Sequence, residues 1–166
     1  MVPIVLDPSR LRLGVAGHGL AADRRMALLR AAGARPLALT ADLGLLPALD
    51  VLWIVDLPLS HAGRLAATAR AQGTLVNIED RPALSDFRNA AELRRGDLLI
   101  SVSTNGQSPG LAGAIRDRIG GLFGTEWAER VADLGARRRA WRAEGRALAE
   151  VARLSAEAIA RSGWLA

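Results

Sequence analysis

Apolar positions along this chain follow two periods. "LRLGVAG" at 11–17 is a short apolar run that ends in glycine, and "DVLWIVD" at 50–56 is a stronger one. Unbroken apolar runs of this length predict strands buried on both faces. "RPLALT" and "TLVNI" read as two further short strands, and "GDLLISVST" at 96–104 as another. Between them the spacing turns helical. In "LAADRRMALLRAAGA", Ala22, Met26, Leu29 and Ala32 fall on one face, and Gly33 marks a stop. "HAGRLAATARAQG" repeats the pattern and stops at Gly73, while "SPGLAGAIRDRIGGLFG" begins with Ser-Pro, a cap followed by a first-turn proline. Strands alternating with helices over short connections predict an α/β fold, a Rossmann-like parallel sheet with helices on both faces. From Thr125 onward the chain is rich in Ala, Arg, Glu and Leu, which predicts two or more helices outside that sheet. The expected division is a Rossmann-like domain over 1–105 and a helical region over 106–166.

Composition narrows the chemistry. The 166 residues are 50% hydrophobic and 23% charged, enough apolar material for a buried core. Cysteine is absent, which excludes disulfides, thiolate metal sites and cysteine nucleophiles. The net charge is +5 and the basic residues are arginines, suited to planar, two-pronged recognition of carboxylate or phosphate. Nucleic acid is not the expected partner, since neither a helix-turn-helix nor an aromatic platform is evident. No apolar run is long enough to span a bilayer and no signal-peptide pattern opens the chain, so a cytoplasmic protein without a membrane partner is expected. Neither His18 nor His61 is assigned to a metal.

Two stretches carry candidate chemistry. "GHGLAA" sets Gly17, Gly19 and Ala22 in a G-x-G-x-x-A spacing between the first strand and the first helix. In that context the glycines allow a tight turn and close approach of backbone to a pyrophosphate, and the helix N-terminus supplies unpaired N–H groups. A glycine turn without ligand is the competing reading. The acid that should hold a ribose is missing from its usual place; the second strand ends near Thr40, and the nearest acid, Asp42, is either a substitute or a solvated turn residue, while Arg24 and Arg35 would instead suit a 2′-phosphate. The other stretch, "ISVSTNGQSPGLAGAIRDRI", gathers Ser103, Thr104, Asn105, Gly106 and Ser108 at a strand's carboxyl end, where open α/β sheets bind ligands. Helix capping by itself accounts for Ser108. Between these stretches, "NIEDRPALSDF" puts Asp80 at a strand end, either as a turn-forming carboxylate or as a general base.

These stretches, with "VPIVLDPSRLRLGVAG", resemble the precorrin-2 dehydrogenase/sirohydrochlorin ferrochelatase family, the N-terminal module of siroheme synthases. The resemblance implies oxidation of precorrin-2 to sirohydrochlorin with NAD, insertion of ferrous iron in many members, and a homodimer. It implies Asp80, at the Asp of the family's Asn-x-x-Asp segment, as the catalytic group. It places Gly17, His18, Gly19, Leu20, Ala22, Thr40, Asp42 and Asp56 beside the cofactor. Asn77, Arg81, Ser103, Thr104, Asn105, Gly106 and Ser108 fall beside the tetrapyrrole. Asn105 stands where the family has the first of two glycines, and "IVDLPLS" replaces the family's Ala-Thr-Asp/Asn stretch, with Asp56 as its stand-in. A chelatase-only or tetrapyrrole-binding relative that does not use NAD, and a non-catalytic nucleotide-binding regulatory module, are the competing functions.

Overall fold

The computed structural model describes residues 2–40 and 46–165, which form two compact units, Met1–Asn89 and Ala90–Ala166. In the first unit the chain runs through β1 (Leu13–Gly17), α1 (Gly19–Ala31), β2 (Leu37–Leu39), β3 (Val51–Val55), α2 (Leu59–Ala71) and β4 (Leu75–Ile78). The strands form one parallel sheet in the order β2-β1-β3-β4. The order reverses at β1, so the carboxyl ends of β1 and β3 flank a topological switch point.

Alternation along β3 explains why its run is apolar throughout. Val51, Trp53 and Val55 enter a cluster with Ala22 and Met26 of α1, while Leu52 and Ile54 enter the opposite cluster with Ala62, Ala66 and Ala69 of α2. The buried stripe of α2 is all alanine, which lets that helix lie close to the sheet. Both helices end as their glycines predict. Gly33 N–H donates to Arg30 O (2.9 Å) and Ala34 N–H to Leu29 O (3.0 Å), and Gly73 and Thr74 close α2 on Arg70 and Ala69 in the same way.

Beyond β4 the chain turns back and covers the open edge of that strand. Asp86 N–H donates to Val76 O (2.8 Å), the Asp86 carboxylate accepts from Val76 N–H (2.8 Å), and Ser85 Oγ accepts from Ile78 N–H (2.9 Å). Arg70 of α2 grips both Asp86 carboxylate oxygens at 3.0 Å and donates to Leu84 O (2.6 Å). An edge strand that would otherwise present unpaired groups is thereby closed.

The second unit corrects one expectation. The run at 96–104 is not a further strand of the parallel sheet. Leu98–Val102 (β6) pairs antiparallel with Ala91–Arg95 (β5), a strand the hydrophobic pattern does not disclose. Gly96 and Asp97 join them, a two-residue Gly-Asp link of the kind that marks a hairpin. Accordingly the chain divides at Asn89, ahead of the expected residue 105. Three helices complete this unit: α3 (Pro109–Gly120), α4 (Trp127–Ala143) and α5 (Leu148–Ser162). Val151 and Ser155 of α5 are its most deeply buried side chains along with Leu93 and Ala112. Arg138 of α4 donates to Ser155 Oγ (2.9 Å), tying the last two helices together.

Candidate active site

A cleft of about 630 Å³ opens in the first unit where the carboxyl ends of β3 and β4 meet the starts of α1 and α2. Its walls are Leu20, Ala21 and Arg24 from α1, Asp56, Leu57 and Leu59 after β3, and Glu79, Asp80 and Arg81 after β4. Ligand sites of small molecules commonly have this size and this place in α/β sheets.

The glycine loop is built for close approach. Gly17 has φ 144°, and a Cβ there would stand 1.9 Å from the carbonyl oxygen of Val55, so no other residue lets β1 and β3 continue together. Ala22 is buried against the sheet and fills the small-residue position of the motif. Among the described residues no side chain caps α1, and His18 at its N-cap is exposed. The first-turn N–H groups therefore remain open to an anion.

Two aspartates line the cleft with left-handed backbone, Asp56 at φ 51° and Asp80 at φ 58°. Such conformations cost of order 1–3 kcal/mol for a non-glycine residue and gather at functional sites. Asp80 sits in a tight turn closed by Arg81 N–H donating to Ile78 O (3.0 Å). Ser85 Oγ lies 3.1 Å from Ile78 O and 2.9 Å from Arg81 O, bracing the same turn. The Asp80 carboxylate is exposed at the cleft and makes no ion pair among the described residues, whereas neighbouring Glu79 is paired with Arg25 of α1 at 2.7 Å. Sequence reasoning missed that pair because its members stand 54 positions apart.

Other expected site residues fall differently. Asn77 is buried and does not reach the cleft. Its Nδ2 donates to Phe87 O (2.9 Å), and its Oδ1 accepts from Asn89, whose Oδ1 in turn accepts from the Trp53 indole N–H (2.9 Å). Asn77 thus holds the returning segment rather than a substrate. Arg24 lines the cleft together with the residues that follow β3 and β4. Thr40 is exposed just beyond β2, and Asp42 lies outside the described residues.

Ser103, Thr104, Asn105, Gly106 and Ser108 belong to the second unit, between β6 and α3. Gln107 N–H donates to Thr104 O (3.0 Å) across Asn105 (φ 57°) and Gly106 (φ 76°), a type I′ turn. Asparagine tolerates this backbone, which explains how Asn105 stands in a glycine position. Thr104 Oγ1 donates to Ser108 O (2.9 Å) and accepts from Ser108 N–H (3.1 Å), Ser103 Oγ accepts from Asn105 N–H, and Ser108 Oγ caps α3 at Leu111 N–H. These hydroxyls build the loop itself. Among the described residues no group of three or more His, Asp or Glu side chains is placed to hold a metal ion.

The sheet order, the glycine loop and the cleft at the switch point define a Rossmann-like α/β protein. Comparison with known proteins is more specific. Residues 95–122 match the family model described as "Sirohaem biosynthesis protein central". The siroheme synthase of Nitrosococcus oceani is 31% identical over 140 residues, covering 71% of this chain and 30% of that protein. The siroheme biosynthesis protein of Saccharomyces cerevisiae is 50% identical over 50 residues, covering 30% of this chain and 18% of its own. The chain therefore spans less than a third of the length of these relatives. Its fold matches that of "SirC, precorrin-2 dehydrogenase" with a TM-score of 0.72 at 17% identity, over 100% of this chain and 93% of that one. The chain is similar in sequence to siroheme-biosynthesis proteins and shares the fold of that dehydrogenase.

Proposed function

We propose that the protein is an NAD-dependent precorrin-2 dehydrogenase, oxidising precorrin-2 to sirohydrochlorin. The observation that carries this reading is Asp80, a carboxylate held in a left-handed turn at the rim of a cleft beside the glycine loop. NAD fits the loop: Gly17 and Gly19 offer backbone without side chains, and the uncapped first turn of α1 faces the pyrophosphate. When bound, NAD supplies the hydride acceptor. Asp80 takes the proton that leaves the macrocycle as it is oxidised. Arg24 and Arg81, which line the same cleft, hold the carboxylates of the tetrapyrrole. Ile54, Leu57 and Leu59 keep the walls apolar around the reacting carbon. Asp56 lies on the cofactor side of the cleft, in the place of the family's Ala-Thr-Asp/Asn stretch.

The same carboxylate can accept pyrrole N–H protons, so insertion of ferrous iron, as substrate, is the second activity we assign to this cleft. A homodimer through the second unit completes the reading. That unit leaves Leu111, Ile115, Leu122 and Leu148 exposed.

Anaerobic incubation with precorrin-2 and NAD⁺ tests the proposal. NADH and sirohydrochlorin should form in equal amounts with the native protein and fall at least about 100-fold with Asp80→Asn. Asparagine tolerates the left-handed backbone, so the variant should fold normally. Undiminished turnover in that variant removes Asp80 from the mechanism. Tetrapyrrole binding without NADH formation would favour the relative that does not use NAD.

A further inference from the structure

One ion pair beside the cleft enters none of the steps above. Arg25, on the turn of α1 that follows the glycine loop, reaches Glu79 across the sheet end at 2.7 Å. The two side chains are 14% and 30% exposed, and Arg25 Nε is buried with no hydrogen-bond partner. As a stabilising device this is a poor arrangement. A half-dehydrated guanidinium with an unpaired nitrogen and one short contact gains little over an apolar pair of similar size. Its placement is informative. Glu79 is the residue immediately before Asp80, and its own N–H extends the ladder by donating to Ile54 O (2.9 Å). The turn that carries Asp80 is thus pinned to β3 by backbone, to the returning segment by Ser85, and to α1 by the Arg25–Glu79 pair. Two adjacent carboxylates would otherwise repel each other at the same strand end; the guanidinium neutralises one and leaves the other facing the cleft.

We propose that Arg25 and Glu79 are positioning residues. They clamp the turn at 78–81 onto the helix that opens the nucleotide site, so that the Asp80 carboxylate stays aimed into the cleft at a fixed distance from the glycine loop. The inference rests on the reading of Asp80 as the base. A misplacement of about 1 Å in such a group can lower turnover on the order of 100-fold without weakening binding.

Arg25→Gln, Arg25→Lys, Glu79→Gln and the double variant Arg25→Gln/Glu79→Gln should be compared in the dehydrogenase assay. The expected result is a fall in kcat of about 10- to 100-fold for either glutamine variant. KM for both substrates should stay within about twofold, lysine should recover much of the loss, and the double variant should be no worse than the singles, as for two members of one unit. An unchanged kcat, a loss confined to KM, or losses that multiply in the double variant would overturn it. A structural readout separates this claim from the functional one. Crystal structures of the variants should show Asp80 leaving its positive φ or its carboxylate turned from the cleft. If native protein oxidises no precorrin-2, the functional reading fails, and an unmoved Asp80 in both variants then also overturns the clamp. Glu79→Gln changes the more exposed partner isosterically and serves where Arg25→Gln does not fold.

Discussion

At the scale of single residues, three positions at the cleft and its loop are governed by backbone geometry. Asp80 and Asp56 occupy left-handed conformations that a free chain disfavours, and the hydrogen bonds of the 78–81 turn hold Asp80 there. Gly17 is the strictest of the three. Its absent side chain is what allows the ends of β1 and β3 to approach, and the obstacle to any larger residue is backbone, which cannot rotate away. Gly17→Ala should therefore destabilise the first unit by more than about 4 kcal/mol, beyond the range of ordinary surface or core substitutions. Urea denaturation followed by tryptophan emission checks this, because Trp53 is buried in that unit; a midpoint close to that of the native protein would refute it. The motif spacing disclosed Gly17. It could not disclose Arg25, whose partner follows β4, 54 positions further along the chain.

At the scale of elements, the first unit is held by connections made where strands begin as well as where they end. Arg12, just before β1, donates from its backbone N–H to Asp50 at 2.7 Å and grips the same carboxylate with its guanidinium at 2.8 Å, just before β3. These bonds hold the Asp50 carboxyl at about 2, below the usual carboxylate range. A depressed folded-state value stabilises the fold above the unfolded value near 4, and that contribution disappears as pH falls through about 2. Asp50→Asn should therefore lower Tm at pH 5 to 7, and the gap from the native protein should narrow steadily between pH 4 and pH 2. A gap independent of pH would show that packing rather than charge causes the loss. Which elements form was legible from hydrophobic spacing for β1, α1, β3, α2 and β4, since each presents an uninterrupted pattern over its length. The pairing of β5 with β6 was not. Glu92, Arg94 and Arg95 leave β5 without an apolar run, and its pairing with β6 and packing against α3 make it a strand.

At the scale of the whole molecule, two units of different character share one chain. The first buries most of its apolar strand residues. The second buries few and exposes Leu111, Ile115 and Leu122 along one stripe of α3 and just beyond it. Exposed apolar side chains grouped in this way suit an interface with another chain, and they underlie the proposed dimer. Sedimentation should give about 35 kDa, twice the 17.5 kDa chain. Ile115→Asp should give the single-chain mass with its far-ultraviolet dichroism preserved. A native protein that sediments as a single chain would remove the dimer. Among the described residues no helix is long and apolar enough to cross a membrane.

What the amino-acid order determined by itself was local: the continuous apolar runs of a sheet covered on both faces, the glycine stops of its helices, and the glycine loop ahead of α1. These follow from interactions among residues close along the chain, which leave a periodic trace. Tertiary structure alone decided that Asn77 braces Phe87 and Asn89 instead of facing the cleft, that Arg24 looks toward β4, and that Arg25 holds Glu79 beside Asp80. Those outcomes depend on which strand ends the crossovers bring together, a long-range property with no local period to betray it.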